Sequence, residues 1–287
     1  MIETDNFILY HYTSLEGFYR IITSGAIALC DVIKSNDPAE GEYALEMMKK
    51  AYKKMRGDEE INDADYKKLH IAFFEFLEEE KISGRLQQAI LSLSLCQPEV
   101  PLALWRTYGD NGRGVAIGIA KEKLREIGEK PGFEFRQVEY LDEEEMLKKY
   151  MKFWKEQLQD RNDITQDEND KLKEAIRKQY MEGYFIKRQE NAFEKEWRLV
   201  YRELNLQEYS TIKVLTDKLK ISEELDAYMK QDDMVIFYKL AIKDEQIINT
   251  IMLGPQCKIT YNEIQWFLQK YGIKVCGLGK DISIMRG

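Results

Sequence analysis

Glu194 and Glu196, separated by Lys195, are the residues whose types and spacing most invite chemistry. In an extended chain they point the same way, because side chains repeat every two residues. Two carboxylates on one face repel unless a cation or a hydrogen-bond donor separates them. Such a pair is costly as decoration and useful in a site, where one carboxylate can orient a hydroxyl and the other activate a nucleophile. Arg198 falls on the same face and offers the plain alternative, a Glu–Arg ladder on an exposed sheet surface. Two more polar sets stand on short apolar segments: His11 with Thr13, flanked by Tyr10 and Tyr12, and Ser92 with Ser94, leading to Trp105 and Tyr108. A histidine at a strand end can grip a polar ligand from a rigid platform, or can simply be satisfied there. The serine face can equally be a sheet face covered by a helix.

These residues require strands to hold them. Phe7 to Tyr12 is rich in β-formers, and Ser14 is placed to N-cap a helix with Phe18, Ile21 and Ile22 on its apolar face and Gly25 as its stop. Residues 39–57 and 64–81 read as charged helices. Leucine–serine alternation over Gln88 to Cys96 predicts a strand with one polar face. Leu104–Tyr108 reads as a helical turn, Gly109–Gly114 as a glycine-rich turn and Val115–Ile119 as a strand. Residues 141–185 are long, charged and poor in Gly and Pro, hence helical. Glu194 to Arg202 alternates as a strand, and Thr211–Leu215, Met234–Ile242, Ile247–Leu253 and Ile273–Cys276 are further strands, with a helix over Tyr261–Tyr271. The expected fold is α+β: one elaborated domain over 1–287, with helical insertions at about 40–85 and 141–185 interrupting a β-rich core.

Composition narrows the chemistry. The 287 residues carry 43 Lys and Arg against 51 Asp and Glu, a net charge of −8, which argues against binding nucleic acid by overall electrostatics. A local groove drawing on Lys187, Arg188, Arg198 and Arg202 stays open. No apolar run is long enough for a membrane span, and Glu3 and Asp5 stand where a signal peptide would be basic, so a cytoplasmic protein is expected. Cys30, Cys96, Cys257 and Cys276 are scattered among apolar neighbours, which fits reduced thiols. With two histidines, no metal centre is expected. The Gly109–Gly114 loop lacks a P-loop's Lys-Ser/Thr, and no nucleophile elbow or His-Glu-x-x-His is present.

Tyr10–Ser14, Gly25, Asn36–Glu40, Ser92-Leu93-Ser94, Leu104-Trp105-x-x-Tyr108 with Gly112-x-Gly114, Phe193–Arg198 and Met252–Pro255 together resemble, in order, the bacterial DUF2971 family. Their order is also similar to that of the ADP-ribosyltransferase superfamily, which implies a split antiparallel β-sheet core and NAD as the substrate. Carried over by that resemblance, His11 and Thr13 are the NAD-gripping pair, with Tyr12, Ser92 and Ser94 completing the binding set. Tyr108 is an aromatic to stack on nicotinamide, Glu196 the catalytic glutamate and Glu194 the one that prepares an acceptor. The acceptor implied is water, a small molecule, a protein or a nucleic acid. Leu93 and Leu95 occupy the stretch where the superfamily usually has a tyrosine, which keeps open a non-catalytic binding or defence module with a degenerate NAD site.

Overall fold

Short β-forming runs alternate with amphipathic helices, and the computed structural model describes them over residues 7–32, 39–55, 63–82, 90–97, 101–158, 166–201, 225–230, 233–242 and 247–282. In chain order the elements are β1 (Ile8–Thr13), α1 (Leu15–Ser24), β2 (Ala26–Asp31), α2 (Ala39–Met55), α3 (Asp63–Ile82), β3 (Leu91–Cys96), α4 (Pro101–Thr107), β4 (Val115–Ala120) and α5 (Lys121–Gly128). They continue with β5 (Phe133–Gln137), β6 (Glu139–Leu141), α6 (Glu143–Leu158), α7 (Gln166–Glu182), β7 (Ile186–Arg188), β8 (Glu196–Tyr201), β9 (Leu225–Lys230), β10 (Asp233–Ala241), β11 (Ile248–Leu253), α8 (Tyr261–Lys270) and β12 (Gly277–Lys280).

The leucine–serine alternation does produce the central strand. Leu91, Leu93 and Leu95 of β3 are fully buried, while Ser92 is half-buried and Ser94 exposed. β8 runs antiparallel along one edge of β3 from Leu91↔Tyr201 to Cys96↔Glu196. The other edge is therefore shared: β1 meets it at Tyr10↔Cys96, and β2 at Cys30↔Ser92 and Asp31↔Leu91. From there β1 leads to β4, β11 and β12, and β2 leads to β10 and β9, while β5 pairs with β8. The described sheet thus has ten strands and branches at β3. Its pairings are antiparallel apart from β11 with β12. An opening is left where β1 and β2 part.

Local chemistry fixes the start of the β1 branch. Ser14 Oγ accepts from the Gly17 N–H at 3.1 Å, and Gly25 closes α1 in the left-handed region at φ 71°. Gly17 has a steric reason as well, since a Cβ there would lie 2.2 Å from Thr13 Oγ1. Phe18 and Ile22 of α1, Leu124 and Ile127 of α5, and Ile264 and Leu268 of α8 join Leu9, Leu29, Leu93, Ile117, Leu199 and Ile251 in one apolar core.

The two helical insertions pack together. Met47, Met48 and Met55 of α2, Leu69, Phe73 and Phe76 of α3, Met146, Tyr150 and Trp154 of α6, and Leu172 and Ile176 of α7 form a second core, which Ile186 of β7 joins. Among the described residues β7 pairs only with β6, in parallel, so it belongs with this helical lobe and not with the large sheet.

Several expectations shift. The last strand is Gly277–Lys280, not Ile273–Cys276, because β12 pairs with Thr250–Leu253 only from Gly277 onward. The strand expected from Glu194 begins at Glu196. α5, β5, β6, β7 and β9 were not anticipated. Asn36–Pro38 of the Asn36–Glu40 motif, the strand at Thr211–Leu215 and Arg202 lie outside the described residues.

Packing in the helical lobe separates two adjacent phenylalanines. Phe73 is fully buried and Phe74 is 47% exposed. Phe73→Ala is expected to lose about 3–5 kcal/mol of stability and Phe74→Ala no more than about 0.5 kcal/mol in urea unfolding monitored by fluorescence. Equal losses would contradict the assignment of this core.

Candidate functional site

The opening between β1 and β2 is a cleft of about 950 Å³, near the upper end of the roughly 300–1,000 Å³ usual for small-molecule sites. Each of the eight residues singled out from the sequence lines it: His11, Tyr12 and Thr13 from β1, Ser92 and Ser94 from β3, Tyr108 just after α4, and Glu194 and Glu196 at the entry to β8. Residues that the sequence did not assign to the NAD site also line it, among them Cys30, Lys187, Asn191, Phe193, Arg198 and Tyr228.

The carboxylate pair forms differently from what alternation predicts. Glu194 is the last residue of a 3-10 helix spanning Gln189–Glu194, and Lys195 takes a left-handed conformation at φ 43°, ψ 51° before the strand starts. Such backbone is strained for a residue with a side chain. Here it turns both carboxylates onto one ammonium. Lys187 Nζ lies 2.7 Å from Glu194 Oε2 and 2.8 Å from Glu196 Oε2. Arg198 grips Glu196 with both arms, Nε to Oε1 at 2.7 Å and a terminal nitrogen to Oε2 at 3.1 Å. Tyr108 Oη donates to Glu194 Oε1 at 2.5 Å, and the Glu196 backbone N–H donates to Tyr140 Oη at 2.9 Å. Glu194, Glu196, Lys187 and Arg198 are each no more than 6% exposed. The exposed Glu–Arg ladder is therefore absent: Arg198 pairs with Glu196 inside the protein, and Glu194 pairs with Lys187.

That balance decides the ionisation. Burial alone would raise the Glu196 carboxyl, but the charges and hydrogen bonds of Arg198 and Lys187 outweigh it and hold the group at about 2, against an ordinary 4.5. Burial pushes the Tyr108 phenol up, and Glu194 adds to this, so Tyr108 stays a donor at neutral pH. Each carboxylate has about four acceptor positions. Among the described residues, these contacts leave Glu196 Oε1 and both oxygens of Glu194 with acceptor positions for a ligand hydroxyl.

The opposite wall is polar but uncharged. His11 Nδ1 lies 3.1 Å from the Ser94 carbonyl, which can only accept, so Nδ1 carries the proton and Nε2 is left as an acceptor. Burial lowers the imidazole below its ordinary 6.5, with the Ser94 bond opposing, and the ring is neutral at pH 7. Tyr12 packs edge-on against Trp105 at 4.8 Å, and Trp105 Nε1 is anchored on Asp281 at 2.8 Å. Ser92 Oγ is buried without a hydrogen-bond partner. Leu93 and Leu95 belong to the apolar core, and the aromatic lining comes from Tyr10, Tyr12, Tyr108, Phe193 and Tyr228 instead.

Of the basic groove suggested by Lys187, Arg188, Arg198 and Arg202, the three described residues do not form a common basic surface. Lys187 and Arg198 face inward onto carboxylates, and Arg188 stacks on Tyr43 at 4.4 Å. Trp197, by contrast, packs on Phe7 and Phe135, away from the arginine. Among the described residues no group of His, Cys, Asp and Glu could hold a metal ion, and no helix is long and apolar enough to cross a membrane.

A family model described as a protein of unknown function, DUF2971, matches residues 104–199. That stretch contains Tyr108, Lys187, Glu194, Glu196 and Arg198 and supports the family resemblance. No curated protein and no solved structure matches the chain.

Because the Glu196 carboxyl is depressed in the folded state, its contribution is present above its unfolded value near 4.5 and is lost as pH falls toward 2. Glu196→Gln is therefore expected to flatten the pH dependence of urea-unfolding stability between those values. An unchanged slope would show that Glu196 is not held ionised.

Proposed function

We propose that this cleft binds NAD as substrate and breaks its nicotinamide–ribose bond, passing ADP-ribose to an acceptor, as ADP-ribosyltransferases do, in a split sheet of their type. The observation that carries the reading is the convergence of a neutral histidine, a tyrosine and two buried glutamates from three separate parts of the chain on one cleft of suitable size.

The chemistry matches those groups. The C–N bond breaks with its electrons going to the ring nitrogen, which neutralises the nicotinamide cation and leaves an oxocarbenium-like ribose. A carboxylate hydrogen-bonded to the ribose 2-hydroxyl strengthens its hold as that charge develops. Glu196, kept ionised by Arg198 and Lys187, is the candidate for that contact, and Glu194 for receiving the acceptor's proton as the new bond to C1 forms. His11 Nε2 can accept from a second ribose hydroxyl. The ring of Tyr108 offers its face to the cationic nicotinamide, an attraction of roughly 0.5–2 kcal/mol.

One observation favours a second reading, a binding module that has lost the reaction. Three cationic hydrogen bonds already engage Glu196, which limits how far it can reorganise around a ribose. Calorimetry showing NAD binding without nicotinamide release would select it.

The first reading expects Glu196→Gln to lower nicotinamide release by at least about 100-fold, the scale of losing one aimed electrostatic contact, with the circular dichroism spectrum unchanged. Full release by the folded variant would overturn it.

A further inference from the structure

Lys187, a candidate member of a local basic groove by sequence, lies between two carboxylates in the structure. It comes from β7, outside the large sheet. Its neighbours fix that strand to the helical lobe: Ile186 is part of the lobe's core, and the Arg188 guanidinium lies over Tyr43 of α2. The same segment supplies a second contact, because the Tyr184 carbonyl accepts from Arg198. The lobe therefore reaches the cleft twice, once through a cation on Glu194 and Glu196 and once through a carbonyl on the arginine that grips Glu196.

We propose that Lys187 is the positioning residue of the carboxylate pair: the helical lobe delivers its ammonium, which clamps Glu194 beside Glu196 and occupies Glu196 Oε2, leaving the spare acceptor position on Oε1. This rests on the reading of Glu196 as the ribose-binding carboxylate. A buried lysine 2.7 and 2.8 Å from two carboxylate oxygens is the element that lets like charges share a site. Arg198 alone does not do this, since its contacts with the pair are to Glu196. The groups facing Glu196 are Lys187 on β7, Arg198 on β8, Glu194 at the end of the 3-10 helix, Cys96 on β3, Tyr140 on β6 and Tyr108 after α4. Of these, Lys187 and Arg198 carry positive charge.

The test follows the Glu196 carboxyl by carbon-13 NMR as pH falls, in the intact protein without NAD. Lys187→Met alone strands a buried anion, so the decisive pair is Glu194→Gln against Glu194→Gln/Lys187→Met, in which the four-residue network keeps its charge balanced when the lysine is lost. The double variant is expected to titrate at least about one pH unit higher than the single, and arginine in place of methionine is expected to restore the low midpoint. Midpoints within about 0.3 units of each other, or no recovery with arginine, would overturn the inference whether or not the protein consumes NAD. A moved midpoint with no nicotinamide release by the wild type would instead leave the lysine's role standing and overturn the proposed reaction.

Discussion

Everything at the candidate site depends on one ammonium group shared by two buried carboxylates. Glu194 and Glu196 are brought together by a left-handed Lys195, and without Lys187 their repulsion in a low-dielectric interior would drive them apart or protonate one of them. Arg198 then balances the second negative charge. Removing one member of such a network leaves a buried charge uncompensated, typically at a cost of about 3–5 kcal/mol, so the site and the fold are coupled through it.

That coupling links the two cores. The branched sheet carries His11, Ser94, Glu196 and Arg198, whereas Lys187 arrives on a strand attached to the four-helix lobe. The helical insertions are therefore not passive additions to the sheet. They supply the ammonium that bridges Glu194 and Glu196 at the entry to β8. The branching of β1 and β2 from β3 supplies the rest: one continuous sheet would leave no opening, and a complete break would separate the histidine from the glutamates.

The sequence made legible what period and residue type encode. Leucine–serine alternation encodes the central strand and its polar face, Ser14 and Gly25 bound α1, and eight of the residues lining the cleft stand out by type and spacing. What escaped was set by distant contacts. Lys187 looked like a surface cation because its partners are Glu194 and Glu196, whose approach needs a backbone kink that no propensity predicts at lysine. Glu194 read as strand because alternation cannot register a 3-10 turn ending one residue early. The one available signal for Lys187 was the apolar Tyr184-Phe185-Ile186 immediately before it, which points to an interior segment. The final strand slipped to Gly277–Lys280 because β12 is a glycine-rich edge strand defined by pairing with β11, not by its own β-formers.

The most direct test of the central claim is a crystal structure with a non-cleavable NAD analogue. In that complex the ribose on the nicotinamide side is expected to lie within hydrogen-bond distance of Glu196 and His11, with the ring against Tyr108 and Lys187 still bridging both carboxylates. An analogue bound elsewhere on the molecule, or one that calorimetry shows not to bind at all, would contradict it.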